Sequence, residues 1–184
     1  MVQDFLSRKV KLLITGADGQ IGYFLDRAAS KDAFFEVIPL TDAQLDISDA
    51  AAVQAQLDLH TPDYVVNTAG FNAVDRVEAE RERCFALNAE AVKTLAMACE
   101  QRKIPLIHLS SDYVFDGHYA SGYTEADQAT PLGLYGESKW QGEELLRAAL
   151  QQHIILRVSW VFSTVGDNFM QRALSQARQQ AIIT

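Results

Sequence analysis

Along the chain, short apolar runs alternate with longer segments in which apolar residues recur at helical spacing. No tandem repeat, low-complexity tract or Ser/Gly-rich linker interrupts the rhythm. The runs Lys9 to Thr15, Phe35 to Leu40, Tyr64 to Asn67, Leu106 to Ser110 and Ile154 to Trp160 read as strands. They are short and apolar, and several are rich in β-branched residues, as strands covered on both faces should be. Helices are expected at Gln20 to Ala29, Ala50 to Leu57, Arg83 to Arg102, Tyr135 to Leu150 and Asn168 to Gln180. Ser48 before Asp49 marks one helix start, and Lys103 with Pro105 closes the long third helix. This alternation is the sequence form of a βαβ array. The expected fold is therefore α/β, a Rossmann-like doubly wound parallel sheet with helices on both faces. Ala181 to Thr184 reads as the opening of one more buried strand, so the chain is expected to stop mid-fold.

Composition narrows the partners. The 184 residues, 48% apolar and 22% charged, are enough for one domain with a sizeable core. Sixteen Lys plus Arg against 24 Asp plus Glu give a net charge of -8. No basic run offsets it, which argues against nucleic acid as a partner. No apolar stretch is long enough to span a bilayer, and Met1 to Lys9 has no apolar core ahead of a cleavage site. The expectation is a soluble, unexported, cytoplasmic protein with no membrane partner. Cys84 and Cys99 fall within one expected helix, about 22 Å apart at roughly 1.5 Å per residue, too far to bridge. They read as free thiols in a reducing compartment, and no metal site is read from the sequence.

The first strand runs into Thr15-Gly16-Ala17-Asp18-Gly19-Gln20-Ile21-Gly22, after which a helical pattern begins. A dinucleotide diphosphate needs a tight turn free of side chains, backbone N–H groups within reach, and a helix N-terminus whose dipole favours negative charge. Gly16, Gly19 and Gly22 can supply these three needs, although a glycine-rich strand-to-helix turn can also be purely structural. At the end of the second strand, Leu40 is followed by Thr41 and Asp42, with no Lys or Arg until Arg76. An acid there suits a free ribose 2'-hydroxyl and leans towards NADH over NADPH. Asp42 reads equally well as a solvated turn residue.

Tyr135 and Lys139 lie four residues apart in an expected helix, so they share one face. Lys139 could equally form a surface ion pair with Glu143. Ser110-Ser111-Asp112 closes the fourth strand, at the sheet edge where open α/β folds bind ligands. If the three groups converge, a nearby ammonium stabilises the phenolate of Tyr135 and should draw its pKa down towards the working range. Ser111 would then hold a substrate carbonyl for proton transfer. That is the chemistry of carbonyl reduction.

These residues resemble the extended short-chain dehydrogenase/reductase family, in its nucleotide-sugar reductase branch, from about Val10 to Thr184. The carriers are Ile14 to Gly22 with the glycine spacing of that family, Leu45-Asp46-Ile47, Asn67 to Asp75, Ala86-Leu87-Asn88, Ser110 to Gly117, Tyr135-Gly136-Glu137-Ser138-Lys139, and Arg157 to Phe162. The resemblance implies that Gly19, Gln20 and Ile21 face the diphosphate, Asp46 and Ile47 the adenine, and Ala69, Gly70 and Phe71 the middle of the cofactor. It implies Tyr135 as proton donor, Lys139 as its partner and ribose anchor, and Ser111 as the carbonyl-orienting hydroxyl. Asp112 and Trp160 would lie against the substrate, although Trp160 reads equally as a packed aromatic at a strand end. The implied reaction moves hydride from NADH or NADPH to C4 of a dTDP-linked 4-keto-6-deoxy sugar.

Ser111 stands where this branch often has Thr, which keeps the hydroxyl. Members of the branch run on well beyond Thr184. Residues 1–184 are therefore expected to form a nearly complete NAD(P)-binding domain without the C-terminal substrate-binding part. Apolar surface left open along the last strand would favour association, such as a homodimer. A sugar-nucleotide dehydratase would need a second acid where Tyr113 stands, and an epimerase fits the Asp112-Tyr113-Val114-Phe115 string poorly. The alternative of another class is a non-catalytic dinucleotide-binding protein resembling the regulatory subunit of methionine adenosyltransferase.

Overall fold

All strand pairings are parallel. The computed structural model describes residues 8–166 and 168–179. Its strands are β1 (Val10–Thr15), β2 (Phe35–Leu40), β3 (Tyr64–Asn67), β4 (Leu106–Ser111) and β5 (His153–Val158), in the order β2-β1-β3-β4-β5. Around them run α1 (Gln20–Ala29), α2 (Ala50–His60), α3 (Arg81–Phe85), α4 (Ala91–Arg102), α5 (Leu134–Ala149) and α6 (Phe169–Gln179). The order reverses between β1 and β3, and in such sheets ligands sit outside the C-terminal strand ends at that switch point. The strand read over 181–184 lies outside the described residues. No helix among the described residues is long and apolar enough to cross a membrane.

Alternate strand residues face opposite layers. Leu13, Val65 and Leu106 point towards α2, α4 and α5, packing with Val53, Leu57, Val92, Leu95 and Leu146. Leu12, Ile14 and Val66 point the other way, onto Leu25 and Ala29 of α1. Fully burying a side chain of this size is worth about 1.5–3 kcal/mol, so the larger cluster dominates the core. The second layer thins towards β5, where Ile154 and Leu156 are exposed. Cys84 and Cys99 are buried and unbridged.

Two expected elements end differently. β5 stops at Val158 because Trp160 adopts a left-handed backbone, φ 47°, which no strand accommodates. The long helix starts at Arg81 and is interrupted by a π turn over Ala86–Glu90. The interruption centres on Asn88, whose amide accepts from the Phe71 N–H (2.8 Å) and donates to the Phe71 carbonyl (3.0 Å). That tie pins the helix to the loop after β3.

Candidate active site

The glycine turn is built by close approach. Gly16 has φ +65°, and a Cβ there would lie 2.8 Å from the Ala69 backbone. A Cβ on Gly22 would lie 2.3 Å from the Gly16 carbonyl oxygen and 2.7 Å from Thr68 Oγ1. The turn therefore folds flat against the end of β3. Gly19 is the N-cap of α1 and no side chain caps that turn. The helix dipole thus meets open space between β1 and β3, the geometry that suits a diphosphate.

On the other side, Ser111 ends β4 and caps the short turn Asp112–Val114 by accepting from the Tyr113 N–H (3.2 Å). The start of α5 presses against this turn at Gly136, where a Cβ would lie 2.1 Å from the Tyr113 carbonyl oxygen. This contact brings Tyr135 to Ser111. The phenol donates to Asn72 Oδ1 (3.2 Å), and its oxygen lies within reach of the Ser111 hydroxyl. Lys139, one turn on, is buried and donates to the Leu109 carbonyl (3.2 Å). Asp112 takes a short hydrogen bond from the Ser159 hydroxyl.

Burial decides the titration of the pair. It pushes the Tyr135 phenol up to about 12, against the Ser111 hydroxyl that pulls it down. It pushes the Lys139 ammonium down to about 8, against the pull of Cys84 and Glu143. Burial is the largest influence on the phenol, and Cys84, Asp112 and Tyr113 add to it. Lys139 and Glu143 do not form a surface pair, since both are buried. Glu143 instead accepts from Ser110, Arg147 and Arg157.

One cavity of about 790 Å³ gathers most of the expected residues: Gly19, Gln20 and Ile21 on one wall, Ser111, Asp112, Tyr135 and Lys139 on the other, with Trp160 at the mouth. Its size is that of a cofactor or ligand site. A second cavity of about 610 Å³ shares Asp112, Tyr113, Tyr135 and Trp160 with it. Trp160 is 68% exposed and touches Phe169 edge-on, so it is not the packed aromatic of the alternative reading. Gly16 and Gly22 shape the turn from behind the lining.

The structure places Asp46, Ile47, Ala69, Gly70 and Phe71 off this lining. Asp46 closes its own turn by accepting from Ser48, and the Ile47 and Phe71 side chains are in the core. Gly70 packs under Asn88 and Lys139, and Ala69 donates to Asn67. Sequence reasoning passed over Asn72, Thr68, Phe162, Asn168 and Arg172, which do line the cavity. Asn72 follows Phe71 directly and could have been taken from the same string. The last three come from a loop and helix whose approach to the glycine turn has no local signal.

The family model described as RmlD substrate binding domain matches residues 10–184. The chain belongs to this family. Among curated members of similar sequence, the dTDP-4-dehydrorhamnose reductase of Aggregatibacter actinomycetemcomitans is 37% identical over 173 residues, covering 94% of this chain and 59% of that protein. The enzyme of the same name from Sinorhizobium fredii is 38% identical over 168 residues, covering 91% and 56%. A crystal structure of dTDP-4-dehydrorhamnose reductase from Bacillus anthracis in complex with NADP superposes with TM-score 0.91 at 29% identity, covering 94% of this chain and 61% of that one. The chain thus spans a little under two thirds of the length of the RmlD-family relatives it matches. The α/β architecture expected from the sequence is the one these structures share.

Proposed function

We propose that this chain is the dinucleotide-binding part of a reductase that converts dTDP-4-dehydro-6-deoxy-L-mannose to dTDP-L-rhamnose, a precursor of cell-surface polysaccharide. The observation that carries the reading is the convergence of Ser111, Tyr135 and Lys139 on one cavity whose opposite wall is an uncapped helix N-terminus. The residues fit a nicotinamide dinucleotide: the flat glycine turn leaves room for a diphosphate, and the N-terminus of α1 favours its charge. Gly19, Gln20 and Ile21 would hold the diphosphate, with Lys139 and Tyr135 at the nicotinamide ribose. Asp46 and Ile47 would border the adenine through their loop, and Ala69, Gly70 and Phe71 the middle of the cofactor. When bound, the cofactor supplies the hydride.

The chain's own residues then handle the proton. The Ser111 hydroxyl holds the C4 carbonyl, and the Tyr135 hydroxyl gives its proton to the oxygen as negative charge develops there. A phenol held at about 12 carries that proton throughout the neutral range. The Lys139 ammonium stabilises the phenolate left behind, and with its pKa near 8 it is charged at neutral pH. Asp112 and Trp160 line the adjoining sugar side.

Burial and the charges of Asp18 and Asp46 push the Asp42 carboxyl up, against the Arg83 guanidinium that pulls it down. This acidic corner at the end of β2 would repel a 2'-phosphate, which supports NADH as the preferred reductant. The protein in its full natural length should oxidise NADH when given dTDP-4-dehydro-6-deoxy-L-mannose, faster than NADPH at equal concentration. Tyr135→Phe should lower kcat by about 10²- to 10⁴-fold, with dinucleotide affinity changed far less. Tight cofactor binding with no turnover, and no effect of Tyr135→Phe, would assign the protein to the non-catalytic dinucleotide binders. A homodimer belongs to the same reading, and sedimentation of the same sample by analytical ultracentrifugation reports it.

A further inference from the structure

Glu143 is fully buried, yet every lone-pair direction of its carboxylate is used. Oε1 accepts from Ser110 Oγ (2.5 Å) and Arg157 Nε (2.9 Å), and Oε2 from Arg157 Nη2 (2.7 Å) and Arg147 Nη2 (2.8 Å). Two of these partners sit next to something the site uses. Ser110 precedes Ser111 and Asp112 at the end of β4, and Arg157 lies three residues before Trp160. Glu143 itself is one helical turn beyond Lys139 and two beyond Tyr135 on α5. Arg157 is further fixed over the Phe115 ring (4.8 Å) and against Trp140 (5.8 Å). One carboxylate therefore ties together β4 and α5, which bring the reacting groups to the cavity, and β5, which leads to Trp160.

We propose that Glu143 is a positioning residue for the reduction: through Ser110 and Arg157 it sets the register of α5 against β4 and β5, and so the placement of Tyr135 and Lys139 relative to Ser111. The inference rests on the reductase reading above. Its charge has a second effect. The groups acting on Lys139 are Cys84 from α3, His108 from β4 and Glu143 from α5, and of these Cys84 and Glu143 favour the ammonium. Exchanging the carboxylate for an amide removes its share of that support and leaves two guanidinium groups nearby, so Lys139 loses its proton at lower pH.

The test compares the full-length protein with Glu143→Gln, Arg157→Lys and Ser110→Ala. Arg157→Lys keeps the charge but loses the two-pronged contact, and Ser110→Ala cuts only the tie to β4, so one of these reports even if Glu143→Gln does not fold. Positioning predicts a fall in kcat of about 10- to 100-fold in each folded variant, with KM for both substrates changed far less. It also predicts that the alkaline limb of the kcat profile moves to lower pH in Glu143→Gln only. A lowered unfolding midpoint with kcat and pH limb unchanged would overturn the proposal and leave the reductase reading standing. If the wild type shows no turnover, that reading fails instead. NMR of ¹⁵N-labelled lysine, with Lys139→Arg assigning the signal, then judges the electrostatic effect by itself: an unmoved Lys139 titration in Glu143→Gln overturns that effect, and a downward move upholds it.

Discussion

Gly22 lies inside a helix, where exchanging glycine for alanine ordinarily gains about 1 kcal/mol. Here the added methyl would meet the Gly16 carbonyl, Thr68 Oγ1 and the Ala17 Cα, all closer than 3 Å and two of them backbone. Backbone cannot step aside cheaply. Gly22→Ala is therefore expected to reverse the usual sign and cost about 1–3 kcal/mol in urea unfolding, and a gain in stability would show the turn to be looser than described. The same scale separates what could be read from sequence from what could not. The glycines, Ser111, Tyr135 and Lys139 announce themselves because their spacing already encodes a turn or a helix face. Asn88 does not, since its amide is spent on Phe71, a contact made only once the fold is closed. Its one local signal is an Asn in the middle of a helical stretch, where such a side chain competes with the backbone.

At the scale of elements, hydrophobic periodicity located every described strand and most helix ends, because strands covered on both faces and helices with one apolar face leave distinct patterns. What it could not place were breaks with tertiary causes: the π turn at Asn88 and the left-handed Trp160 that ends β5. A buried polar row crosses three strands in the same way. Thr15 on β1 donates to Asn67 Oδ1 (2.7 Å) on β3, and that oxygen also accepts from the Ala69 N–H (3.2 Å). The Asn67 Nδ2 therefore faces His108 Nδ1 on β4 (3.0 Å), which must accept and leaves the proton on Nε2. Burial, with help from Lys139, pushes the imidazole down to about 3. Between its ordinary value of 6.5 and about 3 the unfolded chain holds a proton that the folded chain refuses, so stability falls as pH falls across that window. His108→Gln should flatten the slope by up to about 1.4 kcal/mol per pH unit in unfolding midpoints taken from pH 7 to 4. An unchanged slope would mean that the imidazole charges in the folded state.

For the whole molecule, the sheet order matters most. It sets the end of β1 beside the end of β3, with β4 and β5 following, so that the helix N-terminus of α1 and the Ser, Tyr and Lys groups of β4 and α5 face each other across one cavity. The pair β1 and α1 lies far in sequence from the pair β4 and α5, and the parallel array brings the two together. The most direct measurement is a crystal structure of the protein grown with NADH. The account predicts the diphosphate on the backbone N–H groups of Gly19 to Ile21 and the nicotinamide ring beside the Tyr135 hydroxyl and Ser111. A dinucleotide seated elsewhere, or one with its nicotinamide turned away from Tyr135, would contradict it.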